Sequence, residues 1–589
     1  MTLPDCMDLP FDTWLLILQF LPSCDIFERV VFVSRFFRDV VECESARGRL
    51  VLTTPIIDWS PELLAVVNKY QFKGLTLGDP NCDLNNPGKS IPSLDALSED
   101  TLLQVRSLSL NGQSSEVHNQ KLCRLKHLEV HYLDPIDANI LGLVSDSLPH
   151  LKTLNLNQLH YPIPSIMCTE PMKLQELLVS ERIRYTVWDN NIRHQLFAMI
   201  QNNHQTLKRL ELRVDKGTLP TIFNRVVSSV PHLEVLLIEI ANTTHSSKMH
   251  TDPPERGHNL KSLTLNCPTK DVYWLICQGE DFLELENLTI TSYMGLHSIS
   301  NLWTLVPRVK FPKLKSLYVS APKRQIDFLF QLIPSTLAHI NIKCITSTAL
   351  LSRFNCLETI HLSNIVGGDD GMKTIIENNS NSLAQLNCHR ILSNELADLV
   401  LACPNLHSLK CMSSSGLKRI AELRKDLYSV HVNLMNGDSI NCDVDWRELA
   451  LVTALPEYDF SWMCHLTRLT SLHLSVDVPI TFTLGGYIQE IPHLTHLSLS
   501  IKDYNGSTED NHASKSRDNV TITKYPALDN VHVTCEEEMN LHDLIMLVTA
   551  MIECLNVSYS FSDEVTVQPW FESLWTLLYR VDKPYPRSI

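Results

Sequence analysis

The sequence predicts an α/β fold built as a solenoid: a long parallel sheet with helices outside it, preceded by three short helices and closed by a C-terminal cap. Three observations lead there. A kernel of the form Leu-x-x-Leu-x-Leu, clearest at Leu151, Leu154 and Leu156 within "LPHLKTLNLNQL", recurs along the chain. From Leu151 to Leu427 its recurrences fall 20 to 33 residues apart. The first fifty residues lack the kernel and instead place apolar residues at helical spacing. A chain of 589 residues is also too long for one ordinary core. A solenoid escapes that limit, because each repeat packs only on its neighbours.

The kernel starts at Leu151, Leu174, Leu207, Leu233, Leu260, Leu285, Leu314, Leu337, Leu357, Leu383, Leu406, Leu427, Leu469, Leu494 and Leu528. Looser copies start at Phe72, Val105, Leu125, Trp446 and Ile552. The kernel and its period resemble leucine-rich repeats, in which each repeat supplies one strand to a curved parallel sheet. The resemblance, with the handedness of strand–crossover–strand connections, implies a right-handed horseshoe with its sheet on the concave side.

Ahead of the repeats, Trp14, Ile17, Leu18 and Leu21 follow helical spacing until Pro22 ends the helix. Asp25 and Glu28 have capping-box spacing for a second helix, and Ser34 caps a third carrying Phe36, Phe37 and Val40. Such short helices are marginal alone. They carry more apolar side chains than so small a bundle can bury, so the remaining face is expected to seek a partner. The segment resembles the F-box: Leu9-Pro10-x-Asp12, Ile17-Leu18-x-Phe20-Leu21-Pro22, Asp25-Ile26 and Val33-Ser34-Arg35-x-Phe37-Arg38 fill that family's pattern in order. The departure is Arg49-Leu50, where many F-boxes have a Leu-Trp pair. The resemblance implies a substrate receptor of Skp–cullin–F-box ubiquitin ligases. It places Leu9, Pro10, Ile17, Leu18, Leu21, Pro22, Ile26, Val33 and Phe37 in or near the interface with the Skp-type adaptor, and through the adaptor with a cullin. The implied domains are an F-box over 1–48, the solenoid over 49–560 and a cap over 561–589.

Along the solenoid, "GRLVLT" (48–53) reads as a first strand. Ser60-Pro61-Glu62 opens a helix through Tyr70, with Ser as cap and Pro at the first helical position. Leu396, Leu399 and Val400 form a helical stripe between two kernels. Three stretches break the period: the Pro/Asn-rich residues 80–104, and the post-strand loops 241–259 and 502–519. Asn364 stands at the slot where cysteine-containing repeats of this type carry Cys, while Leu159 and Arg182 occupy a slot that Asn usually fills. An irregular horseshoe is therefore expected. At the end, Phe571, Leu574, Trp575 and Leu578 share one helical face, suited to a closing cap.

Composition narrows the function. A net charge of -16 speaks against nucleic acid or an anionic membrane as main partner, since both need clustered Lys/Arg. The acidic, proline-broken "MTLPDCMDLPFD" does not read as a secretory signal, so none is expected. Seventeen cysteines without a C-x-x-C pair read as reduced thiols, several of them in or beside kernel slots, which favours cytoplasm or nucleus. There is no phosphate-cradling glycine loop, no H-E-x-x-H and no G-x-S-x-G. The expectation is a non-enzyme without cofactor or metal.

Strand alternation sends the residue before the second kernel leucine, the one between the last two and the one after to the concave face. Nine such positions are charged: Glu129, Glu176, Arg209, Glu211, Arg213, Glu239, Lys343, Lys410 and Glu448. Nine are histidine: His127, His131, His339, His361, His389, His431, His473, His496 and His532. That is several times what an even spread of 24 histidines over 589 residues would give. The last seven are the candidate substrate-binding residues, expected to form a band on the C-terminal half of the horseshoe. An imidazole titrates near ~6.5, so affinity at such a band is expected to change between pH 7.5 and 5.5. Two other classes stay open. One is a ligase-independent scaffold or inhibitor. The other is an enzyme activator using a rim arginine, with Arg182, Arg184, Arg209 and Arg213 as candidates.

Overall fold

The computed structural model describes residues 51–56, 61–78, 94–111, 122, 124–131, 148, 150–159, 172–181, 190–216, 219–242, 259–268, 272, 275, 281–293, 310–321, 329–330, 332–345, 351–365, 369–392, 394–413, 416–433, 442–453, 461–476, 491, 493–501, 530–535 and 557–561. The chain divides into two compact units, Met1–Pro334 and Ser335–Ile589.

In the first unit the described strands are β1 (Val51–Ile56), β2 (Gly74–Gly78), β3 (Ser107–Asn111), β4 (His127–His131), β5 (Thr153–Leu159), β6 (Glu176–Glu181), β7 (Arg209–Lys216), β8 (Val235–Asn242), β9 (Ser262–Pro268), β10 (Asn287–Tyr293) and β11 (Ser316–Ser320). Each pairs in parallel with the next. Between them lie α1 (Pro61–Tyr70), α2 (Glu99–Gln104), α3 (Asn190–Asn202) and α4 (Leu219–Ser229).

The second unit repeats the plan with β12 (His339–Ile345), β13 (Thr359–Ile365), β14 (Gln385–Leu392), β15 (Ser408–Ser413), β16 (Ser429–Asn433), β17 (Glu448–Thr453), β18 (Ser471–Val476), β19 (His496–Ile501), β20 (Asn530–Cys535) and β21 (Val557–Phe561). These strands too are parallel and paired in chain order. Its helices are α5 (Asp369–Asn379), α6 (Asn394–Leu401) and α7 (Gly416–Leu423). Helices of successive repeats lie side by side, α3 with α4 and α5 with α6.

Burial explains the kernel. Leu151, Leu154 and Leu156 are buried, as are their equivalents Leu357, Ile360 and Leu362 in the second unit, each contributing ~1.5–3 kcal/mol by leaving water. Core order reaches one step further upstream. Leu122, Leu148, Val230, Phe311, Cys403, Leu466 and Ile491, each three residues before a kernel leucine, are buried. Each presents its carbonyl to that leucine's N–H, as in Leu151 N to Leu148 O at 3.1 Å and Leu466 O to Leu469 N at 3.2 Å. In the first unit Phe282 bridges Phe223 and Phe311, edge-on to the former at 6.2 Å and stacked on the latter at 5.7 Å between ring centroids.

Side chains at the ends of helices stitch neighbouring repeats. Buried Asn203 accepts from Leu174 N at 2.9 Å, and the Thr206 hydroxyl donates to Leu174 O at 2.7 Å. Asn379 and Ser382 treat Leu357 the same way, at 2.7 and 2.9 Å.

The structure corrects the sequence reading at three points. The first strand extends to Ile56 and does not end at residue 53; residues 48–50 lie outside the described residues. Within 80–104, Leu94–Ala96 form a 3-10 turn and α2 follows, capped by Ser98, whose Oγ accepts from Thr101 N at 3.3 Å. That repeat therefore has a helix of its own. At the far end Val531 pairs with Val557 and Val533 with Tyr559. The last kernel thus starts at Cys554 and not Ile552, a two-residue slip that preserves which side chains share a face. The segment expected to be helical before residue 49, residues 243–258 and 502–519, and the cap expected beyond Phe561 lie outside the described residues.

Candidate docking face of the second unit

Register fixes what the open side of the second unit's sheet presents. Successive pairings put Asn341, His361, Asn387, Lys410, His431, Ala450, His473, Ser498, His532 and Ser558 in one row across β12–β21. One step toward the strand starts, His339, Thr359, Gln385, Ser408, Ser429, Glu448, Ser471, His496 and Asn530 form a parallel row. Between these positions, from β12 to β18, Ile340, Ile360, Leu386, Leu409, Val430, Leu449 and Leu472 are buried.

The two rows meet in a hollow of about 320 Å³ spanning β13–β18, with His361, Asn387, Lys410, His431, Glu448 and His473 among its lining residues. Of the seven histidines singled out from the sequence, the hollow gathers His361, His431 and His473. His339 and His496 lie in the neighbouring row and are exposed. His389 follows Cys388 where the β14–β15 register shifts, and His532 belongs to β20, beyond the hollow. The expected continuous band is therefore interrupted. No two of the histidines are in direct register, because Asn387, Lys410 and Ala450 alternate with them across the strands.

Two residues that the sequence reading did not select complete the site. Lys410 is half-buried, and burial pushes its ammonium below the usual lysine range. Among the described residues no carboxylate forms an ion pair with it. Asn387 approaches His361 Nδ1 with its Nδ2 at 3.4 Å, while its Oδ1 is buried and makes no hydrogen bond. An acceptor left in that state costs ~1–3 kcal/mol. Both residues occupy the middle concave slot of their kernels, the alignment that already placed Lys410 among the charged concave residues. His339 holds Thr359 Oγ1 at 3.2 Å, and His496 holds Thr495 Oγ1 at 2.8 Å.

The open face of the first unit differs in chemistry. Four of its charged residues form ion pairs: Arg209 pairs with Glu211, and Arg213 lies 3.5 Å from Glu239. Glu129 accepts from Asn155 Nδ2 at 2.6 Å, and Glu239 from Asn266 Nδ2 at 3.2 Å. Two of the four rim arginines considered for an activator are thus engaged within the sheet. Arg182 and Arg184 lie outside the described residues, as do all nine candidate adaptor-binding residues from Leu9 to Phe37. Among the described residues there is no group of three or more His, Cys, Asp or Glu placed to hold a metal ion. Within the same residues no helix is long and apolar enough to cross a membrane. Cys267 and Cys388 are buried and fill core positions.

These features define a leucine-rich-repeat architecture, carried by the chain's own kernels and parallel strands. Comparison with solved structures finds an internalin from Listeria monocytogenes, at 14% identity over 58% of this chain and 84% of that one, with a TM-score of 0.32. It also finds the plant peptide hormone receptor RGFR1 in complex with RGF2, at 13% identity over 80% and 93% of the two chains, TM-score 0.23. A third is the leucine-rich-repeat ectodomain of the receptor kinase GASSHO1/SCHENGEN3 from Arabidopsis thaliana, at 11% identity over 85% and 70%, TM-score 0.23. No protein-family model matches the chain, and no curated protein matches it in sequence.

Proposed function

We propose that this protein is the substrate-recognition subunit of a Skp–cullin–F-box ubiquitin ligase. Residues 1–48 dock on the Skp-type adaptor, and the open face of the second unit takes the protein to be ubiquitinated. The observation that carries the first half is the ordered match of Leu9-Pro10, Ile17-Leu18, Leu21-Pro22, Ile26, Val33 and Phe37 to the F-box pattern. The second half is supported by a contrast between the two faces: both concave arginines of the first unit's sheet are paired with neighbouring glutamates, whereas the second unit offers a polar hollow in which Lys410 has no ion-pair partner among the described residues. In this reading the chain performs no chemistry. It holds a substrate beside the cullin-bound machinery, and the hydroxyl, amide and imidazole groups of the hollow supply donors and acceptors together.

Capture by purified Skp-type adaptor tests the proposal. Replacing Leu9 and Pro10, or Ile17 and Leu18, by Ala removes packed apolar groups worth ~2–5 kcal/mol each. Each pair should weaken adaptor binding by about a hundredfold or more, with the solenoid still folded. Undiminished capture by either variant leaves the ligase-independent scaffold as the better account.

A further inference from the structure

We infer that the hollow on the second unit's open face binds an acidic side chain of a partner polypeptide, seating its carboxylate on Lys410 between Asn387 and His431. The inference rests on that face being the docking surface and names the chemistry it recognises.

Charge is the first ground. Lys410 stands in the middle row with Asn387 in register on one side and His431 on the other. The hollow's carboxylate belongs to Glu448, two strands away in the neighbouring row, about 10 Å across the sheet. Lys343 is the other charged residue expected on this face. A cation on a half-buried floor without an ion-pair partner is stabilised by an incoming anion more than an exposed, hydrated one. The downward displacement of the Lys410 ammonium by burial agrees with that unmet demand.

The second ground points to a polypeptide. Asn387 Oδ1, in the same floor, is an acceptor that makes no hydrogen bond. A free carboxylate offers no donor to it, whereas the N–H groups flanking an acidic residue do, after a turn of the Asn387 amide. Ser408 and Ser429 line the hollow beside Lys410 and add donors for the second carboxylate oxygen. A volume of about 320 Å³ lies at the small end of ligand clefts. It accommodates one side chain and its adjoining backbone. With a net charge of -16 the chain repels acidic polymers at long range, so recognition here is local and short-ranged.

The test uses the full chain and three synthetic pools of nine-residue peptides, degenerate except for a central Glu, Gln or phosphoserine, at ~150 mM salt. The Glu pool should bind at least tenfold more tightly than the Gln pool. Lys410→Gln should erase that preference and Lys410→Arg should retain it. A preference that survives in Lys410→Gln, or equal binding of the Glu and Gln pools, overturns the carboxylate inference while leaving the docking face in place. Tighter binding of the phosphoserine pool than of the Glu pool overturns it in favour of a phosphoryl ligand. If no pool binds the wild-type chain, the inference and the docking face fail together.

Discussion

Asn379 shows how much one residue carries in a repeat protein. Its Oδ1 accepts from Leu357 N, and its Nδ2 donates to Phe354 O at 2.9 Å and Ile375 O at 2.8 Å. The side chain is 1% exposed, so water cannot replace these bonds. Asn379→Ala strands a buried N–H and two buried carbonyls, each worth ~1–3 kcal/mol. A loss of about 3 kcal/mol in chemical denaturation is expected, with a similar loss for Asn203→Ala. A change below ~0.5 kcal/mol would show that the stitch is ornamental. Both asparagines stand four residues before a kernel leucine, with Thr or Ser one residue before it. That spacing was legible, but the reading looked for asparagine after the strand, where this type of repeat usually has it, and not at the helix end.

At the scale of elements, the repeats from α6 to β17 are joined through Arg424, which is 8% exposed. Its guanidinium donates to Cys403 O at 2.7 Å, to Leu401 O at 3.3 Å, and to Leu406 O of the preceding repeat. Its own carbonyl accepts from Trp446 Nε1 of the following repeat at 2.9 Å. Arg424→Met removes these side-chain donors without removing the bulk, and should cost ~3 kcal/mol or more. The Arg424 guanidinium also holds the Asp426 carboxyl below the usual aspartate range. A carboxylate lowered in the folded state stabilises above its unfolded pKa of ~3.9 and loses that contribution as pH falls further. Stability should therefore fall below about pH 4, and less steeply in Asp426→Asn. Because Asp426 is 68% exposed, the effect is small. An acid limb identical in wild type and Asp426→Asn would contradict the assignment. Nothing in the kernel pattern announced Arg424: a charged residue at a helix end reads as solvated until the neighbouring carbonyls are placed. Strand positions were readable because leucine burial repeats every turn of the solenoid. Ile552 misled because Ile552, Leu555 and Val557 satisfy the kernel as well as Cys554, Val557 and Tyr559 do.

For the whole molecule, the repeat logic makes stability a sum of local terms, and the chain divides into two compact units. Asn203→Ala should lower amide-exchange protection in Met1–Pro334 more than in Ser335–Ile589, and Asn379→Ala the reverse. Uniform loss across both units in either variant would contradict this locality. The division was not visible in the sequence, where the kernel period runs on through Leu314 and Leu337 without a break. The proposed function assigns adaptor recognition to residues 1–48 and partner recognition to the open face of the second unit.

The most direct test of that division is one quantitative capture experiment. The full chain, its Leu9→Ala/Pro10→Ala variant and its His361→Ala/His431→Ala/His473→Ala variant are compared for bound Skp-type adaptor and for bound partner proteins. The account predicts a double dissociation: the first variant loses the adaptor and keeps the partners, and the second keeps the adaptor and loses the partners. Adaptor capture equal to wild type in the Leu9→Ala/Pro10→Ala variant, with the chain folded, would contradict it.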